Sequence, residues 1–106
     1  MTKEDWQNLY NILDQIHSDF QNAYHDYKNG RNKAIRSQGE RKVDSSINLA
    51  DYHISKNYEA YELLTGIEGS DYSRAINYDE FKQPRYFGRD LSEFLEKIKV
   101  KIKSPD

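Results

Sequence analysis

Seven apolar or aromatic side chains, Trp6, Leu9, Leu13, Ile16, Phe20, Ala23 and Tyr27, recur at alternating intervals of three and four residues over the first quarter of the chain. That seam places all of them on one side of an α-helix, whereas a strand would alternate with period two. A helix with one apolar stripe must bury it against other elements, so the chain is committed to helix-on-helix packing. Thr2 stands where an N-cap is needed, Glu4 and Asp5 follow where negative charge complements the helix dipole, and Asn29-Gly30 supplies a stop. The first helix is expected over residues 3–28, about 40 Å long at ~1.5 Å per residue. Tyr10, His17 and Tyr24 lie one position beyond the seam, which widens the stripe enough to meet two neighbours.

A second series, Val43, Ile47, Ala50, Ile54, Tyr58, Tyr61 and Leu64, keeps helical spacing up to Thr65-Gly66, where glycine can close a helix in the left-handed conformation. Its start is open, since Ser37-Gln38-Gly39-Glu40 has the form of a capping box and Asp44 is a competing cap. A helix over residues 40–65 is expected. The third helix, over 90–103, rests on Asp90 as cap with Glu93 after it, and on Leu91, Phe94, Leu95, Ile98 and Ile102 on one face. Lys97 to Lys103 also alternates strictly as a strand would, but the chain offers no convincing partner strand. Between the second and third helices, residues 66–89 lose the period yet carry Ile67, Tyr72, Ile76, Tyr78, Phe81, Tyr86 and Phe87. Such a connection should pack on the helices, with short turns at Tyr72–Ile76 and Tyr78–Lys82. The expected fold is thus all-α, a single domain over 1–106 in which three main helices form an antiparallel bundle.

Composition narrows the chemistry. There is no cysteine, which removes disulfides, thiolate metal sites and a cysteine nucleophile. Apolar runs such as Ile12-Leu13 and Leu63-Leu64 are far too short to span a bilayer, and the opening residues lack a signal-peptide pattern. A cytoplasmic protein with no membrane role is expected. Charged residues make up 32% of the chain, a level that suits disorder, but nine tyrosines, four phenylalanines and one tryptophan set at helical intervals supply a core.

The formal charge of −2 conceals segregation: residues 1–27 carry −4, 28–42 carry +5, 43–81 carry −6 and 82–106 carry +3. The first basic block holds Lys28, Arg31, Lys33, Arg36, Arg41 and Lys42; a second basic group is Lys97, Lys99, Lys101 and Lys103. Arginine forks suit phosphate and carboxylate oxygens, while the same charges can simply neutralise acids on adjacent helices.

Catalytic groups do not assemble at workable spacing. His17, His25 and His53 have no strong ligand four residues away, and Asp14-x-x-His17 is a single acid–histidine pair, so no metal or other cofactor is expected. Nucleotide-binding and hydrolase signatures are missing, and Asp79-Glu80 would point in different directions on a helix. The expected function is therefore non-enzymatic: an interaction module such as an inhibitor, immunity-type or adaptor protein, which presents charged and aromatic side chains to another protein. Arg31, Lys33 and Arg36 from the basic block and Tyr72, Tyr78, Arg85, Tyr86 and Phe87 from the aromatic connection are the expected contact residues. A nucleic-acid accessory role through block 28–42 is the alternative, favoured if the two basic groups converge. Pairing of two copies through the seam of the first helix is a further expectation.

Overall fold

The computed structural model describes residues 1–66 and 75–104, and among these every regular element is helical. Three long helices, α1 (Lys3–Asn29), α2 (Lys33–Ser55) and α5 (Pro84–Lys103), form the bundle; α3 (Tyr58–Thr65) and α4 (Tyr78–Phe81) are short. Helix α1 packs along both α2 and α5, while α2 and α5 meet each other much less. The result is an elongated body of 51 × 24 × 21 Å.

Each boundary has a local cause. Thr2 and Asp5 cap α1 reciprocally, each side chain accepting from the other's backbone N–H at 3.1 and 3.0 Å. The start of α2 lies seven residues before the expected one because Asn32 caps it, accepting from the Ile35 N–H at 2.9 Å. Neither Ser37 nor Asp44 is used. Gly39 is instead buried inside the helix, where a Cβ would lie 2.6 Å from the Tyr27 nitrogen and 2.8 Å from the Ala23 oxygen. Its lack of a side chain lets the α1 and α2 backbones touch.

The expected 40–65 helix is broken at Lys56-Asn57. Asn57 starts α3 afresh by accepting from the Ala60 N–H at 3.3 Å, as its short amide favours capping over helix continuation. The break resets the phase. Val43, Ile47, Ala50, Ile54 and Leu64 are buried as expected, but Ala60 and Leu63 face inward in place of Tyr58 and Tyr61, which are 75% and 37% exposed. Gly66 closes α3 in extended backbone rather than the left-handed conformation.

The third long helix begins six residues earlier than the cap at Asp90 implied. Pro84 occupies its first turn, where a missing N–H is harmless, and Tyr86 and Phe87 donate to the Gln83 carbonyl at 3.0 and 2.9 Å. Asp90 lies inside the helix and is buried, accepting from Arg89 Nε at 3.3 Å. The alternating Lys97–Lys103 stretch is helical. Lys97 is buried, its Nζ donating at 3.3 Å to the Leu63 carbonyl near the end of α3. Of the expected turns, Tyr78–Phe81 is present, capped by Asn77; Tyr72 lies outside the described residues and Ile76 is buried without being helical.

The core collects the α1 seam from Trp6 to Ala23 with the inward residues of α2, α3 and α5. Seven rings make it continuous. From Tyr27 the contacts pass to Tyr24 (6.2 Å between centroids), Phe20 (5.5 Å), Phe87 (4.7 Å), Phe81 (5.1 Å), Tyr78 (5.7 Å) and Tyr61 (5.0 Å). The chain of rings therefore ties α1, α5, α4 and α3 together. The α1 seam is covered within one chain, so the apolar residues invoked for pairing between copies are already occupied.

Candidate functional site

The expected contact residues divide into groups. Arg31, Lys33 and Arg36 are exposed at the tip of the α1–α2 hairpin. Arg36 also steadies that tip, its Nη1 donating to the Gly30 carbonyl at 2.9 Å. Tyr78 is half-buried and its hydroxyl donates to Asp51 Oδ1, tying α4 to α2. Burial, and then the Asp51 carboxylate, push its phenol well above the ordinary tyrosine range. Phe87 is wholly buried and cannot be a contact residue: as part of α5 it turns inward between Phe20 and Phe81. Tyr72 lies outside the described residues.

Arg85 and Tyr86, expected in a loop, occupy the first turn of α5. Tyr86 is half-buried with the guanidinium carbons of Arg85 and Arg89 at 5.4 and 5.2 Å from its ring centre; Arg89, three residues on, shares its face of the helix. Opposite stands the last part of α1, where Lys28 lies 4.7 Å from the Tyr27 ring centre and 5.6 Å from that of Tyr24. Between the two helices runs an open groove of about 400 Å³, bounded by Tyr24, His25 and Lys28 on one wall and by Pro84, Arg85 and Arg89 on the other. Its floor is Phe20 and Gly88. A Cβ on Gly88 would sit 3.1 Å from the Phe20 ring, so glycine permits the close approach here, and the Gly88 carbonyl accepts from His17 Nε2 at 3.1 Å.

Lys28 and Arg85 make no ion pair among the described residues, whereas Arg89 faces the buried Asp90. The lining residues include no aspartate or glutamate. A groove between α1 and α2 contrasts with it, opposing Asp19 and Asp26 to Lys42 across about 490 Å³.

The sequence pattern grouped Arg85 with Tyr86 and set Lys28 in the first basic block without joining the two, and it passed over Arg89, Tyr24 and His25 as contact residues. The signal available was the spacing Arg85-Tyr86-x-x-Arg89, which on a helix sets Arg89 beside the Tyr86 ring and one turn from Arg85. The second basic group lies at the far end of the bundle. Lys99 is beside Tyr10, and Lys101 lines a small groove with Trp6, Glu59 and Glu62. The two basic groups therefore do not converge. His25 contacts Asn29 at 3.5 Å, and His53 packs edge-on to Tyr52, where burial and then Lys56 hold its pKa below the usual histidine value. Among the described residues no three potential ligands cluster for a metal, and no helix is long and apolar enough to cross a membrane. No family model, curated protein or solved structure matches the chain.

Proposed function

We propose that the protein is a non-enzymatic interaction module that binds another protein through the cationic, aromatic end of the bundle. The observation that carries this reading is the meeting of Lys28 with Arg85 and Arg89 around tyrosine rings. Bases from two sequence blocks separated by an acidic one share a single groove. Exposed Arg31, Lys33 and Arg36 extend the same charge over the hairpin tip. Arginine and tyrosine are the side chains that most often dominate binding energy at interfaces, and a one-signed patch on a near-neutral protein orients its partner during encounter.

A polynucleotide would need a continuous basic track. On α5 the exposed Glu96 and the half-buried Glu93 interrupt the path from Arg89 to Lys99, so the protein-binding reading is the better supported.

The test is affinity capture from the native host with two reversal variants. Replacing Lys28, Arg31, Lys33, Arg36, Arg85 and Arg89 by glutamate is expected to release the captured partner, while reversing Lys99, Lys101 and Lys103 retains it. Recovery of the same partner with both variants would overturn the proposal.

A further inference from the structure

We infer that the groove between α1 and α5 is the recognition site itself, and that its ligand is an acidic peptide segment in which an apolar side chain adjoins carboxylates. The inference rests on the interaction-module reading and gives its partner a chemistry. Beneath the groove Phe20 is buried, stacked on Tyr24 at 5.5 Å, set against Phe87 at 4.7 Å and closely covered by Gly88, so the aromatic surface that the groove presents is the half-buried Tyr24 ring. The rim is cationic on both walls, with Lys28 on α1 facing Arg85 and Arg89 on α5. An apolar side chain can lie against the Tyr24 ring while flanking carboxylates reach the rim. Carboxylates match the rim because arginine forks bind them in two-point fashion and no carboxylate lines the groove to repel them; phosphate shares that geometry, and the oligonucleotide in the test below separates the two.

The shape of the groove limits what can lie in it. About 400 Å³ accommodates a few side chains rather than a folded domain. The rim charges are already oriented. Lys28 rests over the Tyr24 and Tyr27 rings, and the Tyr86 ring spaces Arg85 from Arg89. Side chains held this way lose less freedom on binding than free ones, which favours affinity.

The experiment measures fluorescence anisotropy of labelled peptides at low salt. A peptide alternating glutamate with phenylalanine is compared with a glutamate-only peptide, one alternating lysine with phenylalanine, and a single-stranded oligonucleotide of equal charge. The glutamate–phenylalanine peptide is expected to bind at least about tenfold more tightly than each of the others. Lys28→Glu with Arg85→Glu should weaken it by about tenfold or more, and Lys99→Glu with Lys101→Glu by less than about twofold. Lys28 and Arg85 are exposed, Lys99 and Lys101 half-buried, and circular dichroism checks that each variant is folded. Tighter binding of the oligonucleotide, equal binding of all peptides, or no response to the Lys28 and Arg85 changes would each overturn the groove assignment. If that happens while the six-base reversal still releases the captured partner, the interaction reading stands and only the groove's ligand is wrong.

Discussion

Tyr86 and Phe87 are neighbours in sequence with opposite fates, and the difference is energetic. Phe87 buries its whole ring between Phe20 and Phe81, so Phe87→Ala should cost about 3–5 kcal/mol in urea unfolding. Tyr86→Ala removes a half-exposed ring and should cost less than about 1 kcal/mol. Gly39→Ala sets two effects against each other. Alanine gains up to ~1 kcal/mol of helix propensity, but the new methyl meets α1 backbone atoms at 2.6 and 2.8 Å. Backbone cannot rotate aside, and a net loss of about 1–3 kcal/mol is expected. Tyr78→Phe removes the hydroxyl that donates to Asp51 and should cost about 1–2 kcal/mol at neutral pH. Because the folded pKa of Tyr78 is raised, its contribution is complete below the unfolded value near 10 and declines as pH rises above that value. The wild-type protein should therefore lose stability on the alkaline side more steeply than Tyr78→Phe, a difference that denaturation midpoints at pH 9 and about 11 would reveal.

At the scale of elements, asparagine sets the punctuation. Asn32, Asn57 and Asn77 each cap a helix through the side-chain oxygen. Two of these caps overturned expected boundaries. Hydrophobic spacing carried smoothly from Ile54 to Tyr58 and Tyr61, so periodicity alone could not expose the break. The decisive interaction is one hydrogen bond from the Ala60 N–H to Asn57. Asn57→Ala is expected to lower stability by about 1 kcal/mol, read as a shift in the urea midpoint at unchanged slope. The α5 start was obscured in the opposite way. Glu93 after Asp90 resembles a capping signal, yet Asp90 is buried beside Arg89, and Pro84 with Gln83 begins the helix with no side-chain cap.

The molecule as a whole is a tapered bundle. Helix α5 begins opposite the later part of α1, leaving the hairpin tip to α1 and α2 alone. No residue from 24 to 38 is fully buried, whereas Ala23 and Gly39 on either side are. Amide hydrogen exchange should accordingly be faster across residues 24–38 than in the middle of α1 or α5. Uniformly slow exchange through the tip would contradict this picture. The same taper leaves the groove beside Tyr24 and Lys28 open and surrounds it with basic side chains.

The local pattern in the chain was enough to establish the helical class, the α1 seam and the inward face of α5, because apolar spacing records the helix period directly. It also separated the charges into blocks. Tertiary structure decided the rest. Whether α2 begins at Asn32, whether Phe87 faces in, and whether Gly39 is a turn or a contact point depend on which backbone lies opposite. Likewise, Lys28 and Arg85 are 57 positions apart, and only the antiparallel packing of α5 on α1 brings them to one groove while carrying Lys99 and Lys101 to the other end. Charge order along a chain does not specify charge position in space, since that is set by which helix faces pack together.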